Sequence, residues 1–241
     1  MFTRRSLLRA AAAAAVASPL SSLVGPAAAQ SGWYSGYMPD EPYDIPFVDP
    51  RRMPAHLRLT EVGYEGSERP GTIIVDTADK HLYLVREGGR AWRYGIGVGR
   101  QGFSWSGAAR VGRKARWPGW TPPAAMRRRQ PELPRHMEGG LDNPLGARAL
   151  YLYEGGRDTL YRIHGTNEPW SIGEAVSSGC IRMLNQDALH LYERTKIGAR
   201  VKVRQNAQGF YASAPAEASV QASVQASVEQ PSRRTLFSGL F

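Results

Sequence analysis

Thr72-Ile73-Ile74-Val75-Asp76, Thr77-Ala78-Asp79-Lys80 and His81-Leu82-Tyr83-Leu84-Val85-Arg86, read in succession, decide the fold. Two β-prone runs flank a short turn-like spacer, which predicts a hairpin. Glu87-Gly88-Gly89-Arg90 turns the chain again, and Ala91 to Val98 supplies a third run of aromatic and β-branched residues. Antiparallel strands in a meander are the economical explanation.

The pattern returns further along. Ala149-Leu150-Tyr151-Leu152-Tyr153 reads as a strand, Gly155-Gly156 as a turn, and Thr159-Leu160-Tyr161-Arg162-Ile163-His164 as its hairpin partner. Asn185 is expected to cap a helix from about Gln186 to Lys196, with Gly198 as its terminator and Leu189 and Tyr192 on its apolar face. Arg200-Val201-Lys202-Val203-Arg204 alternates as a last strand. The 26 glycines and 17 prolines suit such a turn-rich β body better than a helical bundle.

Residues 99–147 break the regularity. Pro118, Pro122, Pro123, Pro131, Pro134 and Pro144 exclude long helices there. An irregular stretch of this length inside a compact domain is usually functional, and it is expected to fold over one face of the sheet and shape a cleft. Arg127-Arg128-Arg129 could touch an acidic ligand or form a solvated basic loop.

The flanks differ in composition. Thr3-Arg4-Arg5-Ser6-Leu7-Leu8-Arg9 resembles a twin-arginine motif. The moderately apolar run Ala10 to Val24 and the small residues Ala27-Ala28-Ala29 follow it, so residues 1–29 read as an export signal cut before Gln30. A membrane anchor is disfavoured, because Pro19, Ser21 and Ser22 interrupt a run already too short to span. Residues 30–69 read as an N-terminal arm whose aromatics dock by packing. Residues 205–241, with Ala218-Ser219-Val220-Gln221 repeated, read as a disordered low-complexity tail.

The net charge is +10, and the first 29 residues hold Arg4, Arg5 and Arg9 and no acid, leaving about +7 for the rest. Such a surface favours polyanionic partners. No zinc-finger, basic-zipper or RNA-recognition signature supports nucleic acid, and the carboxylate-rich cell wall is the other candidate. His56, His81, His136 and His190 show no metal-ligand spacing. Gly95-Ile96-Gly97-Val98-Gly99 lacks the following helix that a dinucleotide site needs. No metal and no cofactor are expected.

Chemistry concentrates in two segments, Ile163-His164-Gly165-Thr166-Asn167 and Val176-Ser177-Ser178-Gly179-Cys180-Ile181-Arg182-Met183. Cys180 is the single cysteine of the chain. In an exported protein a lone thiol is either a small buried hydrophobe or a reactive group. A thiol needs a neighbouring base or positive charge to become a thiolate. His164, at the end of a predicted strand, can be that base if the loop from 165 to 179 returns Cys180 to it. Gly179 permits unusual backbone angles and close approach by a ligand. The N–H groups around Gly179 and Cys180 could then line an oxyanion hole. Arg182 either grips a substrate carboxylate or carbonyl or serves a structural ion pair.

The Ser-Ser-Gly-Cys-Ile-Arg-Met block with His-Gly-Thr-Asn ahead of it resembles the catalytic motif of the L,D-transpeptidases. The similarity covers about residues 70–204. It includes Tyr94 to Gly99, Asn143-Pro144-Leu145-Gly146 and the closing Ile197 to Val203. It implies a mainly β fold, a β-sandwich of mixed and antiparallel strands with one helix after the catalytic motif and an active-site cleft. It also implies that Cys180 attacks the third residue of a peptidoglycan tetrapeptide stem, releases D-Ala and holds a thioacyl-enzyme. An amine of a second stem, or a lysine of an envelope protein, resolves that intermediate. In this scheme His164 is the base, and Ser178, Gly179 and Arg182 position substrate and oxyanion. Carbapenem-type β-lactams are expected to acylate Cys180. Many members carry histidine where Ser178 stands, which leaves His164 as the base; a backbone carbonyl is one candidate for the group that orients it. The alternatives are a carboxypeptidase or cross-link hydrolase using the same thiol, and a non-catalytic wall-binding protein. The expected location is the periplasm or cell wall, with no stable membrane anchor.

Overall fold

A computed structural model describes residues 32–100, 106–177 and 179–205. The expected export signal, Ser178 and nearly all of the expected tail lie outside the described residues.

From the N-terminal side, β1 (Gly36–Met38) and β2 (Ile45–Phe47) form a small antiparallel ladder, followed by β3 (Thr60–Gly63). The hairpin expected over 72–86 is β4 (Ile73–Asp76) and β5 (His81–Arg86). The third run is β6 (Arg90–Gly95) with a short β7 (Val98–Gly99). Among the described residues the long segment contains β8 (Gly107–Arg116) and one short helix, α1 (Ala124–Arg129). Then come β9 (Arg148–Glu154), β10 (Arg157–His164), β11 (Ala175–Ser177), β12 (Ile181–Arg182), α2 (Asn185–Arg194) and β13 (Arg200–Arg204).

The architecture is mainly β, with a large mixed sheet and one helix after the Cys180 motif. Nine strands join in the order β12-β10-β9-β8-β13-β4-β5-β6-β3. Two pairings are parallel, β10 with β12 and β13 with β4, and the others are antiparallel. The last strand therefore fills the middle of the sheet, Val201 facing both Ile73 and Ala109 across its two ladders. Among the described residues no helix is long and apolar enough to cross a membrane.

Both faces of the β4–β5 hairpin are covered. Ile73, Val75, Leu82 and Leu84 enter the main core with Tyr94, Leu152, Ile163 and Met183. Ile74, Tyr83 and Val85 pack on the other side with Val62, Tyr64 and Ala91. This two-sided burial explains why the sequence shows unbroken apolar runs there instead of alternation. From α2, Ala188 and Leu191 enter the main core; full burial of the leucine contributes about 1.5–3 kcal/mol.

The N-terminal segment is built into this body. β3 is the edge strand beside β6, ahead of the boundary expected near residue 70. Val48, Met53 and Leu57 pack with Ile172 and Leu184, and Trp33 and Tyr34 lean on the same cluster. Asp40 grips Arg148 through two bonds of 2.7 and 2.8 Å and also accepts from Arg116 and the Trp117 indole N–H.

One helix boundary differs in its chemistry from the expectation. α2 begins at Asn185, but its N-cap is Leu184 and no side chain caps it. The Asn185 amide is committed to the Ala147 N–H and the Thr166 carbonyl.

Candidate active site

The site lies where β10 and β12 run side by side. Their register pairs Ile163 with Ile181 and His164 with Arg182. The loop between the two strands thus returns Cys180, one residue before β12, to the end of β10. His164, Cys180 and Arg182 line one cleft of about 370 Å³, together with Ser177, Leu160 and Trp120. The long segment contributes as expected, since Trp120, Pro123 and Met126 form part of the wall. A larger depression of about 570 Å³ crosses β8, β9 and β13, but its lining holds no cysteine, histidine, serine or threonine. His164 and Cys180 both belong to the smaller cleft.

His164 is fixed by its neighbour. Its Nδ1 lies 2.5 Å from the Gly165 carbonyl. A carbonyl can only accept, so Nδ1 carries the proton and Nε2 is the basic nitrogen. The orienting group is thus a backbone carbonyl. Burial holds the imidazole down to about 3, with Arg182 adding to the effect, so the ring is neutral at physiological pH.

The strand end is held from behind by Asn185. Its Oδ1 accepts from the Ala147 N–H and its Nδ2 donates to the Thr166 carbonyl, both at 3.0 Å. The two loops that frame the histidine are bridged by one buried amide. A Cβ on Gly165 would stand 2.2 Å from that Oδ1, which explains a glycine directly after the histidine.

Cys180 sits at the end of a tight turn. The Ser177 hydroxyl donates to the Cys180 carbonyl at 2.7 Å and accepts from the Gly179 N–H at 3.2 Å. Gly179 has φ +118°, a conformation closed to most side chains. Of the two expected oxyanion donors, the Gly179 N–H is therefore taken. The Cys180 N–H makes no hydrogen bond among the described residues. Burial pushes the Cys180 thiol above its ordinary range, while the Arg162 backbone and the guanidinium groups of Arg162 and Arg182 pull the other way. The sulfur reaches 4.0 Å from the Leu160 carbonyl.

Arg182 meets Glu168 at 2.5 Å, and its side chain is 18% exposed against 41% for the glutamate. Arg182 thus lines the cleft and is ion-paired at the same time. Ser178 lies outside the described residues. His136 accepts or donates to the Thr121 hydroxyl and does not line the cleft. His81 and His190 bond the His56 carbonyl and the Tyr94 hydroxyl, which are structural roles. Among the described residues no group of histidine, cysteine and carboxylate side chains could hold a metal.

Sequence reasoning missed Ser177, Glu168 and Asn185. Ser-x-Gly-Cys was a legible signal for the first, because serine two residues before a glycine often closes such a turn. The other two act across the fold and leave no local signature.

Residues 70–203 match the family model of the L,D-transpeptidase catalytic domain, YkuD. Over 159 residues the chain is 36% identical to the probable L,D-transpeptidase YbiS of Escherichia coli strain K12, covering 62% of this chain and 48% of that protein. The chain thus spans about half the length of the curated relatives it matches. Among solved structures, a probable carnitine operon oxidoreductase caia from Brucella melitensis shares 43% identity, over 61% of this chain and 94% of that one, with a TM-score of 0.44. L,D-transpeptidase 3 from Mycobacterium tuberculosis shares 17% identity over 56% of this chain and 61% of that one, with a TM-score of 0.42. Through a catalytic domain at residues 70–203 that contains both His164 and Cys180, the chain belongs to the L,D-transpeptidase family.

Proposed function

We propose that the protein is an exported L,D-transpeptidase that uses Cys180 as nucleophile on peptidoglycan tetrapeptide stems. The observation that carries this reading is the orientation of His164: its Nδ1–H is spent on the Gly165 carbonyl, which leaves Nε2 as the basic nitrogen of a residue that lines the same cleft as the thiol.

The steps follow from the two groups. Sulfur attacks the carbonyl carbon of the third stem residue while Nε2 takes the thiol proton. The developing oxyanion is met by the Cys180 N–H, and Arg182 supplies positive charge beside it. One such donor lowers a barrier by about 3 kcal/mol. The C–N bond to D-Ala then breaks, and the leaving amine takes the proton from His164. An incoming amine attacks the thioester, gives its proton to Nε2, and the sulfur leaves as the thiol is reprotonated. The amine belongs to a second stem or to a lysine of an envelope protein; water in its place makes the same site a carboxypeptidase or cross-link hydrolase. Ser178 and Gly179 help to position substrate and oxyanion. No metal or cofactor enters these steps.

Residues 1–29 support export to the periplasm or cell wall through a twin-arginine-like signal. Replacing both Arg4 and Arg5 by lysine is expected to stop it, and continued export rules that route out.

Intact-mass measurement of the purified protein with a carbapenem tests the nucleophile. A single adduct on the wild type and none on Cys180→Ser supports the reading. An equal adduct on both proteins removes Cys180 from the mechanism.

A further inference from the structure

Leu160 combines three properties that folding alone does not favour. Its φ is +64°, a left-handed conformation that leucine rarely adopts. The residue is 76% exposed, so it gains little from burial. It also stands on the wall of the cleft that holds Cys180, with its carbonyl 4.0 Å from the sulfur.

The conformation is built, not frayed. Pairing between β9 and β10 shifts register between Asp158 and Arg162, so residues 159–161 bulge from the ladder. The N–H groups freed by the bulge are met by side chains. Leu160 donates to the Asp158 carboxylate at 2.8 Å, and Tyr161 donates to the Thr159 hydroxyl at 3.2 Å. Arg162 locks Asp158 with a fork of two 2.7 Å bonds and lies over the Tyr151 ring at 4.2 Å. Bulges of this kind re-aim side chains beside active sites, and retained strain clusters there.

Glycine or asparagine at position 160 would satisfy the same backbone with less strain, and a polar side chain would suit the exposure. A leucine held there serves contact with something that arrives in the cleft. Trp120, Pro123 and Met126 make the same cleft apolar from the long segment. We infer that Leu160 is a substrate-contact residue, whose side chain packs on the aliphatic part of the donor peptide flanking the carbonyl that Cys180 attacks. The inference rests on the transpeptidase reading above and adds to it a determinant of donor recognition.

Steady-state kinetics on disaccharide-tetrapeptide, run beside thermal melting and Cys180 alkylation by iodoacetamide, tests it. Leu160→Gly and Leu160→Asn relieve the left-handed strain and remove the apolar contact. Both are expected to raise KM about tenfold with little change in kcat, to leave alkylation by the small probe within about twofold, and to raise Tm by about 2–4 °C. Leu160→Met, which keeps an apolar side chain, is expected to restore KM to within about threefold. Unchanged KM in the glycine and asparagine variants overturns the inference. So does a parallel fall of Tm and alkylation, which would make Leu160 a structural residue. A wild type that turns over no stem peptide overturns the transpeptidase reading, and this inference with it.

Discussion

His164 and Gly165 are joined by a 2.5 Å hydrogen bond from the imidazole Nδ1–H to the adjoining carbonyl. The bond fixes the tautomer, and burial fixes the charge: the ring stays neutral down to about pH 3. The thiol in the same cleft is pushed up by burial. Both shifts favour a neutral thiol with a neutral imidazole over a thiolate–imidazolium pair.

Iodoacetamide alkylation of Cys180, followed against pH, reads this directly. The rate is expected to rise once, through a midpoint above the ordinary thiol value of about 8.5. A plateau of fast alkylation below pH 7 would show that an ion pair already exists at rest.

Two buried groups give folding stability opposite pH trends. His164 titrates near 6.5 when unfolded and about 3 when folded. Its stability contribution is complete above pH 6.5 and is lost as pH falls through 3. Asp187 is raised by burial from 3.8 to about 7, so its contribution is present below 3.8 and lost as pH rises through 7. Asp187→Asn removes that second cost. Its Tm relative to wild type is expected to be higher at pH 8 than at pH 5; an offset independent of pH would contradict the assignment.

Asp40 ties the N-terminal segment to the sheet. Its side chain is 9% exposed and the Arg148 side chain 5%. Asp40→Ala leaves a buried guanidinium unpaired, a loss of about 3–5 kcal/mol in urea unfolding. A change under about 1 kcal/mol would mean that the segment rests on the body without holding it.

Asn185 bridges the loops around the histidine. Asn185→Ala strands a buried N–H and a buried carbonyl, a cost of about 2–4 kcal/mol. Because Thr166 follows Gly165, kcat is expected to fall further than the stability loss alone explains at a temperature where the variant is fully folded. Unaltered kcat there would confine Asn185 to the scaffold.

The sequence showed the strands whose apolar residues match their burial. Ile73 to Val75 and His81 to Val85 are covered on both faces and read as runs. His164 and Cys180 were legible because each sits in a local motif at the end of an element. β8 was not: Gly107–Arg116 mixes arginine, alanine and glycine and is largely exposed. It is a strand because β13 and β9 supply hydrogen bonds on its two sides, and tertiary pairing overrides weak propensity. The expectation that Asn185 caps α2 used the right residue for the wrong partner, since its amide satisfies loops distant in sequence. The Leu160 bulge depends on a register shift, which no periodicity of one strand reveals.

The most direct measurement is mass spectrometry of the purified protein incubated with disaccharide-tetrapeptide, beside Cys180→Ser. A cross-linked dimer lacking one D-Ala, formed by the wild type and absent from the variant, is the predicted result. Tripeptide without dimer would assign hydrolysis to the same thiol. No product from the wild type, or equal product from both proteins, would contradict Cys180-dependent transpeptidation.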